Sequence, residues 1–203
     1  LSIPGGGSLT TADTVAGGTG VDTISYSSDE AVALTDFTNV TSVEVLTASG
    51  AFQLTGNLGA AAQAAGIRTV TYADTGAGDN LTIDAEFTEN ITVNLDATGV
   101  NALDASAHTG VLTVAVTETI ALAADQTVVA GTGTSDEILL TTDGSGVTNA
   151  QMTPFTKFEK ITVAGDVASG AIVLDELNID NGLTLTVDAT AITTATKAFT
   201  LDA

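Results

Sequence analysis

Ile91-Thr92-Val93-Asn94-Leu95 and Val111-Leu112-Thr113-Val114-Ala115-Val116 decide how this chain folds. Aliphatic residues recur at every second position, with Thr, Asn or Ala between them. A period of two sends successive side chains to opposite faces, the pattern of a half-buried strand. Threonine suits the outer face because its branched Cβ favours extended backbone. The same rule governs Thr69-Val70-Thr71-Tyr72, Leu81-Thr82-Ile83-Asp84, Glu137-Ile138-Leu139-Leu140-Thr141, Lys160-Ile161-Thr162-Val163 and Leu183-Thr184-Leu185-Thr186-Val187-Asp188. Gly, Asp and Asn punctuate these runs and keep the connections short. Helix signals are confined to Gly59–Ala65, closed by Gly66, and to Thr148–Met152 ahead of Pro154.

The chain is therefore expected to be all-β. Aromatic residues make up only 4% of it, and there is no Trp. A β-sandwich core usually holds more large rings. Small aliphatics in narrow layers suit a β-solenoid, a stack of successive β-coils, with the sandwich as the alternative.

An internal repeat points the same way. Gly17-Gly18-Thr19-Gly20-Val21-Asp22-Thr23-Ile24 is followed by Phe37-Thr38-Asn39-Val40-Thr41-Ser42-Val43-Glu44-Val45. Gly131-Thr132-Gly133-Thr134-Ser135-Asp136-Glu137-Ile138 is followed by Phe155-Thr156-Lys157-Phe158-Glu159-Lys160-Ile161-Thr162-Val163. Aligning Phe37 with Phe155 yields Phe-Thr-x-(Val/Phe)-x-x-(Val/Ile)-x-Val. A strand followed by Asp-Ala also recurs, in 94–98 and 186–190. These phrases imply one continuous domain over 1–203, with related halves at about 13–125 and 126–203. The opening Leu1-Ser2-Ile3-Pro4 and the strand-like end read as a fragment of a longer protein.

Charge is the main functional clue. The chain carries 25 Asp+Glu against 4 Lys+Arg, a formal net charge of −21, yet is 44% hydrophobic. A disordered acidic chain would be poorer in apolar residues, so this charge sits on a folded object. Self-repulsion opposes compaction, and the basic residues are too few to pair with the carboxylates. Divalent cations with a preference for oxygen, calcium above all, can take that role outside cells. Nucleic acid is excluded, because phosphate binding needs Lys and Arg in numbers. An anionic membrane surface is disfavoured for the same reason, and no apolar run approaches a spanning length of about 20 residues.

The candidate metal ligands lie in three glycine-rich acidic turns. The first holds Gly18, Gly20 and Asp22, and it fits the calcium nonapeptide Gly-Gly-x-Gly-x-Asp-x-(aliphatic)-x at every fixed position. Glycines let the backbone turn and offer carbonyl oxygens, while Asp supplies charge. Gly76, Gly78 and Asp79 form a shortened version, and Gly131, Gly133 and Asp136 a lengthened one. Such turns also join strands without any metal.

The Gly-Gly-x-Gly-x-Asp-Thr-Ile turn resembles RTX-type secreted proteins. So do residues 103–114 and the Phe-Thr-x-Val-x-x-Val-Glu-Val strand. These phrases are also similar to bacterial surface-layer (S-layer) proteins exported by the type I route. The resemblance implies a solenoid on the bacterial cell surface that folds and self-assembles with extracellular calcium. An adhesin or stalk module of an RTX-type protein is the alternative, and a β-helical polysaccharide-active enzyme a third reading. The nonapeptides are not in tandem here, unlike in a standard β-roll.

Nothing in the sequence assembles a catalytic centre. The single histidine, His108, reads as a surface residue in a turn. With no Cys and one His, zinc is excluded as a ligand-rich site. Tyr26 and Tyr72 are the only tyrosines available as sugar platforms, and Arg68 is the one candidate for a lyase base. The expectation is a non-enzymatic protein whose partners are copies of itself or other surface components.

Overall fold

The computed structural model describes residues 2–3, 9–26, 30–32, 35–50, 53–74, 78–95, 101–117, 126–141, 149–165, 171–174, 178–179, 184–192 and 200–202. They form a parallel β-solenoid. One sheet has nine strands, in the order β1 (Ser2–Ile3), β3 (Thr23–Tyr26), β6 (Val45–Gly50), β8 (Thr69–Asp74), β10 (Ile91–Leu95), β12 (Leu112–Thr117), β14 (Glu137–Thr141), β16 (Lys160–Val163) and β18 (Thr186–Asp188). A second has six, in the order β15 (Phe155–Thr156), β13 (Thr127–Val129), β11 (Asn101–Asp104), β9 (Asp79–Ile83), β7 (Leu54–Leu58) and β4 (Glu30–Val32). Two short pairs complete it: β2 (Val15–Ala16) with β5 (Val40–Thr41), and β17 (Ala171–Val173) with β19 (Thr200–Asp202).

Every described pairing is parallel, so the sandwich alternative, built from antiparallel strands, does not apply. Each strand pairs with its counterpart one coil later. Thr92 lies opposite Thr113, 21 positions on, and Lys160 opposite Thr186, 26 on. The spacing varies because the turns vary. The strand register does not.

That register stacks like on like. Ile24, Leu46, Val70, Val93, Val114, Ile138 and Ile161 stand level on successive coils, all at 0% exposure. Burying each aliphatic side chain stabilises the fold by about 1.5–3 kcal/mol. A second inward row runs through Tyr26, Ala48, Tyr72, Leu95, Val116, Leu140 and Val163, also buried. Both tyrosines are thus core residues, unavailable as sugar platforms. Alternating with these rows, the outward positions are Thr23, Val45, Thr69, Thr92 and Thr113, then Ser25, Thr47, Thr71, Asn94 and Ala115.

Helices are as short as expected. α1 (Ala60–Ala65) ends at Gly66. Arg68 serves that end: its guanidinium donates to the carbonyls of Ile67 at 2.6 Å and Gln63 at 3.3 Å. α2 is Asn149–Met152. Thr148, Leu183 and the Asp-Ala of 96–97 lie outside the described residues.

The stacking of coils overturns one expectation. His108 is at 0% exposure. Its turn is covered by the next coil, whose Thr132 N–H donates to the His108 carbonyl at 2.8 Å. Its Nε2 lies 3.0 Å from the Glu89 carbonyl of the coil before, and its ring meets Phe87 at a 6.0 Å centroid distance. A turn that would face water in an isolated hairpin is interior to a stack.

Close stacking also explains a glycine. A Cβ on Gly131 would lie 2.4 Å from the His108 carbonyl oxygen and 3.2 Å from that of Ala105, both backbone. Gly131→Ala therefore forces the coils apart. Thermal denaturation is expected to show a loss of about 1–3 kcal/mol, or roughly 2–12 °C at this chain length. An unchanged melting temperature would show that the coils can separate freely here.

Candidate functional site

The three glycine-rich turns lead into strands, but their carboxylates do different work. Asp136 is at 0% exposure. Its Oδ1 accepts the Leu112 N–H at 2.8 Å and its Oδ2 accepts the Gly131 N–H at 2.9 Å. Leu112 stands level with Asp136 on the preceding coil, since Thr113 pairs with Glu137. Asp136 therefore ties one coil to the one before it and closes its own turn. Burial raises its carboxyl above the usual 3.8, opposed by the two N–H donors and by nearby His108.

Asp79 repeats the first of these contacts. It is at 2% exposure, and its Oδ1 accepts the N–H of Leu54 at 2.6 Å. Leu54 is again the level residue one coil back, because Thr55 pairs with Asn80. Gly78 adopts a φ of 103° beside it. Gly76 lies outside the described residues.

Asp22 differs. Its Oδ2 is buried and has no hydrogen-bond partner. Its turn needs glycine for conformation: Gly18 and Gly20 have φ of 104° and 114°, with open space around both. Gly131 and Gly133 serve another purpose, since added Cβ atoms would strike the His108 and Gly110 carbonyls at 2.4 and 2.7 Å. An open cleft of about 310 Å³ lies alongside Asp22, lined by Thr14, Val15, Ala16, Gly17, Thr23 and Val43.

Each full turn is joined to a glutamate one coil on. The Asp22 N–H donates to Glu44 Oε2 at 2.8 Å, and the Asp136 N–H donates to Glu159 Oε2 at 2.8 Å. In return the Glu44 and Glu159 N–H groups donate to the Asp22 and Asp136 carbonyls, each at 3.1 Å. This equivalence corrects the repeat alignment. Glu44 matches Glu159, so Val40-Thr41-Ser42-Val43-Glu44 matches Phe155-Thr156-Lys157-Phe158-Glu159, and Phe37 does not match Phe155. Ser42 and Lys157 confirm the shift: each has a left-handed φ, 55° and 67°. Apolar residues spaced by three had made the offset alignment look equally good.

Sequence reasoning passed over the other side chains that cap backbone across coils. Gln63 Oε1 accepts the Thr88 and Glu89 N–H groups at 2.5 and 3.1 Å. Asn90 Oδ1 accepts the Val111 N–H at 3.0 Å. Asn178 donates to the Met152 and Phe155 carbonyls, each at 2.6 Å. The available signal was position: each is an amide side chain between strands, about one coil from its partner.

The turns differ in how well their oxygens suit calcium. The oxygens of Asp136 are engaged by N–H groups, which a cation would have to displace. The Asp22 turn fits better, with a buried carboxylate oxygen lacking a donor and Glu44 beside it. Among the described residues no three His, Cys, Asp or Glu side chains converge as a metal cluster. A cation at Asp22 would therefore draw most of its ligands from backbone carbonyls and water, as calcium readily does. Comparison with protein-family models, with curated proteins and with solved structures finds no match to this chain.

Proposed function

We propose that this chain is a structural, extracellular domain of a bacterial surface-layer protein, secreted by the type I route, that folds and self-associates with calcium. The observation that carries the reading is the buried, unpartnered Asp22 Oδ2 in a glycine-rich turn, in a chain of 25 acidic and 4 basic residues. Asp22 and Glu44, with backbone carbonyls and water, would hold the ion. Bound calcium would supply the positive charge that this pair lacks and reduce repulsion between copies. The parallel stack supports a structural role, because its sheets present long, regular surfaces.

Self-association is tested by sedimentation velocity in chelator and in millimolar calcium. The reading expects monomers in chelator and larger species in calcium. A chain that stays monomeric in both at tens of micromolar contradicts it.

A further inference from the structure

A chain of net charge −21 has few places where two copies can touch. Like charges brought together across an interface cost several kcal/mol. The outward face of the nine-stranded sheet is such a place. From β3 to β12 its two outward rows hold Thr, Ser, Val, Asn and Ala, and no charged side chain. The next two strands bring Glu137 and Lys160, which pair with each other at 2.9 Å. Asp188, on edge strand β18, is the first uncancelled charge in these rows. The exposed carboxylates Asp13, Glu86 and Glu89 belong to turns. The six-stranded sheet is less clear of charge, because Asp104 stands exposed at the end of β11.

We propose that this neutral face packs against the same face of a second copy. The proposal rests on the self-association inferred above and names the surface that carries it. Seven strands, β1 to β14, about 4.8 Å apart and on average about five residues long at about 3.3 Å each, give a footprint of roughly 550 Å² per copy. Two copies bury roughly 1,100 Å², which clears the level of about 1,000 Å² expected of a specific interface. The threonine methyls, with Val45, Ala115 and Leu139, give the contact an apolar content. No aromatic residue stands in these rows to offer a sugar ring a platform. An isologous pairing centred on the uncharged strands puts its axis near β8.

The test uses the whole chain in millimolar calcium. Thr69→Glu puts a carboxylate at the centre of the face, and Thr134→Glu puts one on an exposed turn. Sedimentation velocity is expected to show association weakened at least tenfold by Thr69→Glu and unchanged by Thr134→Glu. The chain has no Cys, so Thr69→Cys offers a second readout that does not depend on the fold tolerating Glu. Mild oxidation is expected to give a covalent dimer with Thr69→Cys and none with Thr134→Cys. If the wild type associates and both Glu variants associate equally, or Thr69→Cys fails to cross-link in an associating sample, the face is wrong while self-association stands. A wild type that stays monomeric removes the self-association reading itself. A monomeric wild type that binds cell-wall polysaccharide through Thr69 would assign the face to a saccharide and overturn the copy-to-copy contact.

Discussion

Asp136→Ala is expected to destabilise the fold by about 2–6 kcal/mol, in chelator and in calcium alike. It leaves two buried N–H groups, those of Leu112 and Gly131, without their acceptors. Each buried donor left unsatisfied costs about 1–3 kcal/mol. At this length that corresponds to a fall of roughly 4–24 °C in melting temperature. Asp136→Asn keeps one acceptor and turns an NH2 toward the other donor, so it should lose less than the alanine variant. Acid separates the two further. Burial raises the folded-state carboxyl above 3.8, so the native state takes up this proton before the unfolded chain does. Stability from this group therefore rises as pH falls through the folded value toward 3.8. The asparagine variant lacks that gain, so the gap between wild type and Asp136→Asn should widen on acidification. A gap that narrows would show that the carboxylate is favoured as the anion.

The second large effect concerns Asp22. A ligand at a hundredfold excess over its dissociation constant stabilises the native state by about 2.7 kcal/mol. For a chain of this length that is roughly 5–11 °C. Calcium should raise wild-type melting by this order over chelator, and Asp22→Ala should lose most of the gain. Asp136→Asn should keep it despite its lower starting stability. The contrast follows from geometry: Asp136 spends its oxygens on backbone donors, whereas Asp22 Oδ2 has none. If Asp136→Asn abolishes the response and Asp22→Ala leaves it intact, the site has been assigned to the wrong turn.

Strands and faces were legible in the sequence because period two is a local property. β10 falls on Ile91–Leu95, β14 on Glu137–Thr141 and β16 on Lys160–Val163, with Ile91, Val93 and Leu95, Ile138 and Leu140, and Ile161 and Val163 inward. The parallel stack was legible from composition and repeat. What could not be read locally was which residues stand level one coil apart. That relation gives Asp79 and Asp136 their backbone donors on the preceding coil, Leu54 and Leu112. It also buries His108 under Thr132, and it sets the repeat register three residues from the one suggested by Phe37 and Phe155. Glycines read as turn-formers divide likewise. Gly18 and Gly20 are needed for their positive φ, and Gly131 for the closeness of its neighbour.

The central claim is that the native solenoid holds calcium at the Asp22 turn, and calorimetric titration of the folded chain tests it directly. The wild type is expected to give a saturable calcium isotherm, which Asp22→Ala abolishes and Asp136→Asn preserves. A wild type that gives no binding heat and keeps the same melting temperature in chelator and in calcium, or an Asp22→Ala isotherm identical to the wild type's, would contradict it.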